Sequence, residues 1–228
     1  MATDAGAGGL DMTLEPVWVL HARPYRNSSV ILDLLGARRG RIGVVARGGR
    51  RNMLLQPFRP LLMDCRGRGD LLTLGHCEAA GPAVPLSGRA LFCGMYLNEI
   101  LMRLLHRFDP HPELMAPYEA TLSLLTQADM PQDVLLRRFE MTLLDALGYG
   151  FSLTHDAAGE PLRPGEHYRL DPEQGLIAER AGYAGAALLA MAEGTWNDET
   201  RRVARDLLRT ALAPHLGGKP LVSRELFR

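Results

Sequence analysis

Residues 16–78 read PVWVLHARPYRNSSVILDLLGARRGRIGVVARGGRRNMLLQPFRPLLMDCRGRGDLLTLGHCE, and the spacing of apolar runs and breakers in this stretch decides the fold of the first third of the chain. Five short runs, PVWVLHA, SVILDLL, RIGVVA, PLLMDC and DLLTLGHC, are apolar or β-rich and are separated by clusters of Gly, Pro, Asn and Arg. Runs of this length between such breakers predict strands. Five strands in so short a segment suit a small closed barrel, with the five-stranded OB-fold as the first candidate and a meander or SH3-like barrel as alternatives. The loop ARGGRRNM (46–53) gathers Arg47, Arg50 and Arg51, and Gly67-Arg68-Gly69-Asp70 reads as a tight turn.

Beyond Gly81-Pro82 the texture changes to helical periodicity. Residues 88–107 keep Glu99, Arg103, His106 and Arg107 on one polar face while nearly all other positions are apolar, the pattern of a central bundle helix. Glu99 and Arg103 stand at i and i+4 and are expected to pair. A second helix is predicted from Pro112, with Leu114, Tyr118, Leu122 and Leu125 at helical spacing, and a third from Pro131, with Leu135, Phe139, Leu143 and Leu147 on one stripe. Residues 150–182 are polar and rich in Pro and Gly, with a hairpin expected from HYRL and GLIAE; helices resume at 184–193 and 198–213. Gly217-Gly218 stops the last of these, and Ser223 is expected to cap a short final helix. The class is α+β. A flexible tail (1–14) precedes the OB-fold barrel (15–82), and an α-helical bundle domain with an insertion (150–182) occupies 83–228.

With 228 residues, 46% hydrophobic and 23% charged, the chain can bury a core as an ordinary globular protein does. Its three cysteines, Cys65, Cys77 and Cys93, form no CxxC pair and have no His at zinc-finger spacing, so buried thiols in a reducing compartment are expected, with no metal and no cofactor. The start MATDAGAGGLDMT lacks the regions of a signal peptide, and no apolar run approaches membrane-spanning length. A cytoplasmic, nucleoid-associated location is expected, with no membrane partner.

Charge is sorted along a chain whose total is zero. Residues 15–80 hold 11 basic and 5 acidic side chains, residues 81–200 hold 8 and 17, and residues 201–228 hold 7 and 2. In the last segment Arg202, Arg205 and Arg209 fall on one helical face while Val203, Leu207, Ala211 and Leu212 turn inward. A cationic stripe on a packed helix suits a polyanion better than a small metabolite. Catalytic motifs are wanting. GGKP (217–220) has Ala213 where a phosphate loop needs its first glycine and Pro220 where it needs Ser or Thr. GRIG (40–43) lies between strands, unlike the GxxG of a KH domain. His155, Asp156 and His167 in the insertion are the only groups a small-molecule enzyme could recruit, and no catalysis is expected from them. Arg137-Arg138-Phe139-Glu140 opens a Leu-rich helix and suggests a basic rim beside an apolar groove, fit for an acidic peptide with hydrophobic anchors.

Several blocks taken together resemble the RecO family of bacterial recombination mediators: VLHARPY (19–25), VILDLL (30–35), RIGVVARGGR (41–50), LQPFRPLLM (55–63), VPLSGRALFCGMYLNEILMRLL (84–105), LRRFEMTLLDALGYG (136–150) and APHLGGKPLVSRELF (213–227). The resemblance runs over residues 15–228, and its last three blocks are specific. It implies an N-terminal OB-fold and a helical domain. It also implies binding of single- and double-stranded DNA, strand annealing, contact with the acidic tail of single-strand-binding protein, and help to RecR in loading RecA. Two departures stand out. Relatives often carry four zinc-binding cysteines after the LGY motif, whereas this chain has none beyond Cys93 and resembles the zinc-free branch; and the 46–53 loop is short.

The residues expected to meet DNA phosphates are Arg38, Arg39, Arg41, Arg47, Arg50, Arg51, Arg66, Arg68, Arg202, Arg205, Arg209, Lys219 and Arg224. Arg137, Arg138 and Phe139 are expected at the protein-tail site, with Lys219 or Arg202 as further approaches. The rival reading is an interaction scaffold whose basic faces bind acidic proteins rather than DNA.

Overall fold

A computed structural model describes residues 14–127 and 129–227. The expected flexible tail lies, apart from Leu14, outside the described residues, as does Arg228.

Five strands, β1 (Glu15–Tyr25), β2 (Ser29–Gly36), β3 (Gly40–Ala46), β4 (Pro60–Arg66) and β5 (Leu71–Ala79), close into a barrel in the order β1-β2-β3-β5-β4. Only β3 and β5 pair in parallel. This is the OB-fold, and the meander and SH3-like alternatives fall away. Val17, Val19, Leu32, Leu34, Ile42, Val44, Leu61 and Met63 fill the interior. Strand β2 is buried at nearly every position, which explains why SVILDLL is a continuous apolar run and not an alternation. Its inward residues fill the barrel, while Leu35, with Trp18 and Leu20 of β1, joins the core of the helical domain.

That domain contains α1 (Gly88–Leu104), α2 (Met115–Leu125), α3 (Gln132–Ala146), α4 (Gly185–Ala192) and α5 (Asp198–Leu212). Between α3 and α4 lies a three-stranded sheet, β7 (Gly175–Ala178), β6 (His167–Asp171) and β8 (Tyr183–Ala184). The expected hairpin is β6–β7; the two-residue β8 is too short to leave a sequence signal. Its turn is set by Asp171, whose carboxylate accepts from the Glu173 and Gln174 amides, and by Gly175 at φ 98°. A capping box between Asn197 and Thr200 starts α5. A 3-10 turn (Ala213–Leu216) follows α5, and Gly217 closes it in the left-handed region.

The two domains share side chains. Trp18 meets Tyr118 edge to face at 5.4 Å. Strand β1 shifts register between Val19 and His21, and at this irregularity the Leu20 carbonyl accepts from the Asn98 side chain at 2.8 Å. Tyr118 in turn donates to Asn98 at 2.6 Å. At the far end of α1, Arg107 reaches Asp33 at 3.3 Å and the Asp70 carbonyl at 3.1 Å.

Candidate nucleic-acid and partner interfaces

The strand register sorts the barrel arginines into two ends. Tyr25 pairs with Ser29, and Val30 with Ala46, so the β1–β2 turn and the exit of β3 lie together at one end. The Arg50 amide donates to Ser28 O at 3.0 Å and its guanidinium to Asn27 O at 3.3 Å, which docks the 3-10 turn Gly49–Arg51 onto the β1–β2 turn. Gly48, at φ 68°, makes the bend that this docking requires. Arg47, Arg50 and Arg51 are all exposed here, and so are Arg23 and Arg26, the latter 5.1 Å over the Tyr25 ring. Among the described residues none of these five arginines forms an ion pair with a carboxylate. Arg23, Arg26 and Tyr25 were missing from the sequence expectation. Their signal is RPYR (23–26), which only the hairpin brings beside the 46–53 loop.

Of the other barrel arginines, Arg39, Arg41 and Arg66 have carboxylate or carbonyl partners for their side chains. Buried Glu15 accepts from the Arg38 amide and pairs with Arg39 at 3.3 Å, while Arg39 also donates to Cys65 O. Arg66 pairs with Asp64 at 3.1 Å, and Arg68 is exposed on the turn that follows. Arg41 is a different case from the phosphate contact expected of it. Its guanidinium donates to the carbonyls of Met102 and Leu105 at the end of α1 and lies 4.0 Å from Asp33. Burial lowers its pKa, against the pull of Asp33. It is an interdomain strut. The face of OB strands two and three is a common oligonucleotide seat. Here Arg107 covers part of it: a Cβ on Gly43 would lie 2.4 Å from the Arg107 guanidinium.

The helical domain builds a second basic site. Arg89 of α1, Arg137 of α3, Arg205 and Arg209 of α5 and Arg224 of the C-terminal 3-10 turn Val222–Phe227 line one pocket of about 370 Å³. Cys93, Leu136 and Phe227 give it an apolar floor. Beside it, Arg137, Arg201, Arg202 and Arg205 line a shallower depression of about 330 Å³ that shares Asp133 with the first. Asp133 is held in two hydrogen bonds by Arg201, at 2.8 and 2.9 Å. Partial burial would raise its pKa, but these bonds and the Arg201 charge outweigh burial and lower it. Beneath Arg137 lies fully buried Glu140, 2.9 Å away and hydrogen-bonded by Tyr96. Burial raises the Glu140 pKa against the pull of Arg137. Burial also pushes the Cys93 thiol up to about 11, so it serves as apolar lining.

This arrangement redistributes the expected residues. Arg205, Arg209 and Arg224, expected from sequence at DNA, line one pocket with Arg137, which was expected at a protein-tail site. Arg202 lines the neighbouring depression, and Lys219 is exposed and lines neither. Arg138 lines neither as well; it is exposed and donates to the Met130 sulfur at 3.8 Å. Phe139 points the opposite way: it is 2% exposed and sits in the core, 6.3 Å from Tyr118. About half a turn of helix separates the rim from the core, and Leu136 takes the floor position instead.

The insertion cleft, about 1060 Å³, is lined by His155 and Asp156 but not by His167, which lies in a separate depression. Asp156 accepts from the amides of Ala158 and Glu160 and shapes a turn. The three groups an enzyme reading needs are therefore not brought together. Among the described residues no group of three or more His, Cys, Asp or Glu could hold a metal ion, and no helix is long and apolar enough to cross a membrane.

The family model described as Recombination protein O N terminal matches residues 12–83, and that described as Recombination protein O C terminal matches residues 85–225. The chain is 49% identical over 220 residues to the DNA repair protein RecO of Stutzerimonas stutzeri (strain A1501), covering 93% of this chain and 92% of the relative. It is 48% identical to the DNA repair protein RecO of Pseudomonas aeruginosa, over 93% and 94%. It is 44% identical to that of Methylococcus capsulatus, over 94% and 93%.

Proposed function

The chain belongs to the RecO family of DNA repair proteins, and from that premise we propose that it is a non-enzymatic recombination mediator that binds DNA at the end of its barrel formed by the β1–β2 turn and the exit of β3. The observation that carries this is the group Arg23, Arg26, Arg47, Arg50 and Arg51, exposed together without a carboxylate partner among the described residues. Exposed guanidinium groups without a carboxylate partner among the described residues can neutralise phosphates without reading bases. Tyr25 beside them offers one ring for a base, as single-strand sites use. Annealing of complementary strands follows from the same physics: a surface that screens two polyanions lets them approach and pair. On this reading the protein accepts single- and double-stranded DNA and acts with RecR to load RecA on DNA coated by single-strand-binding protein.

The second basic site takes the acidic tail of single-strand-binding protein. A tail ending in an apolar residue and a free carboxylate needs cations over an apolar floor. Arg137, Arg205, Arg209 and Arg224 over Leu136, Cys93 and Phe227 meet both needs.

The test is a titration with single-stranded oligonucleotide at several salt concentrations. Each phosphate contact adds about 0.7 to the slope of log affinity against log salt. The variant Arg47→Ala/Arg50→Ala/Arg51→Ala should flatten the slope by up to about 2 and leave binding of an acidic tail peptide unchanged. An unchanged slope would exclude the barrel end as the DNA site. Absence of salt-dependent oligonucleotide binding in the wild type would favour the scaffold reading.

A further inference from the structure

One wall of the arginine pocket does not belong to the helix bundle. Arg224 and Phe227 come from the 3-10 turn Val222–Phe227, the last described piece of chain. It is reached through two left-handed glycines, Gly217 at φ 65° and Gly218 at φ 71°. Between Gly217 and Phe227 only Leu221 and Ser223 are buried. A segment with so few apolar anchors has little local stability of its own. Two side chains one turn apart on α1 hold it. The Glu99 carboxylate accepts three bonds, from the Val222 amide and the Ser223 amide at 2.8 Å each and from the Ser223 hydroxyl at 2.5 Å. Arg103 donates to the carbonyls of Leu216 and Lys219, both at 2.7 Å. The pair expected to bridge each other across a helix turn thus reaches outward, and Ser223 meets Glu99 instead of capping the final turn. Beyond the clamp, Phe227 lies edge-on to Phe92 at 6.1 Å and under the Arg89 guanidinium at 5.9 Å.

We propose that Glu99 and Arg103 are positioning residues for the partner pocket: they strap the C-terminal segment to α1 so that Arg224 and Phe227 complete a site for an acidic peptide with a free carboxylate. The inference deepens the tail-binding reading and rests on it. Without the strap, Arg89, Arg137, Arg205 and Arg209 remain on their helices as an open basic groove. The expected effect is therefore a partial loss of affinity. Glu99→Gln replaces one acceptor oxygen by an amide nitrogen that faces a donor, and so releases the segment without altering any pocket-lining residue.

The experiment uses the full chain and a fluorescent acidic peptide ending in an apolar residue with a free carboxylate. Glu99→Gln should weaken binding about tenfold, the effect of one charge-assisted contact, and Arg224→Ala should do the same. The double variant should be little weaker than Glu99→Gln alone, because releasing the segment already removes the Arg224 contact. Oligonucleotide binding and the global unfolding midpoint should stay near wild type, which a general loss of structure would not allow. Ser223→Ala, which removes only the hydroxyl bond, provides a milder version should Glu99→Gln fold poorly. Wild-type affinity in Glu99→Gln and Ser223→Ala, with Arg137→Ala weakened, would overturn the strap and leave the pocket standing. Multiplicative losses in the double variant would also overturn it. Wild-type affinity in Arg137→Ala and Arg224→Ala would remove the pocket, and the strap's role with it.

Discussion

Asn98 shows how much a single buried amide can hold. Its nitrogen donates to the Leu20 carbonyl where β1 breaks register, and its oxygen accepts from the Tyr118 hydroxyl. Asn98 is 3% exposed and Tyr118 is fully buried. Asn98→Ala would strand a carbonyl and a hydroxyl in an apolar seam, and each unsatisfied buried group costs about 1–3 kcal/mol. The expected outcome is a loss of at least about 2 kcal/mol in urea unfolding with an unchanged m-value; a loss below about 0.5 kcal/mol would mean that water replaces the amide. None of this is legible in GMYLNEIL, because the partner carbonyl lies in another domain. Single positions of the candidate sites were legible only where helical periodicity fixed them. Arg137, expected at a partner site, lines the arginine pocket, whereas Phe139, two residues on, belongs to the same inward stripe as Leu135 and Leu143 and is buried with them.

At the scale of elements, periodicity placed α1, α3 and α5 well because each has one apolar stripe. What periodicity could not say is which object covers a polar face. The Glu99 and Arg103 face of α1 reads as an ion pair closed on itself, yet it seats the C-terminal segment. This seat gives that element its own acid sensitivity. Partial burial tends to raise the Glu99 pKa, but the bonds from Ser223 and Val222 and the Arg103 charge outweigh it and lower the value. A depressed carboxyl contributes stability that is complete above the unfolded glutamate pKa of about 4.3 and lost as pH falls through the lower folded value. Hydrogen-exchange protection of the Val222 and Ser223 amides should therefore hold steady from neutral pH down to about 5 and fall only below about 4. In Glu99→Gln it should be low throughout. Protection already lost near pH 6 in the wild type would contradict the assignment.

At the scale of the whole molecule, the sorting of charge along the sequence becomes two separate basic surfaces. The barrel-end arginines are set by strand register, and the pocket arginines are drawn from α1, α3, α5 and the C-terminal turn. Sequence could count these charges but not group them, since Arg41, from the basic text of the barrel, and Arg107, from the acidic stretch that follows, both serve as interdomain struts. The struts accompany a shared core: Trp18, Leu20, Leu35 and Phe58 of the barrel segment pack with Tyr96, Leu97, Ile100 and Tyr118 of the helices. The seam is tight, for a Cβ on Gly94 would lie 2.6 Å from Leu86 and 2.9 Å from the Phe58 ring. An interface built like a domain interior couples the stabilities of its two sides. Unfolding should then be a single transition. Trp18, 3% exposed in the seam, reports on the barrel once Trp196 is replaced by Phe, and far-ultraviolet circular dichroism reports on the helices. The two urea curves should superimpose. If the Trp18 signal and the helical signal separate into two midpoints, the seam is a contact between independent domains and the struts do not unite them.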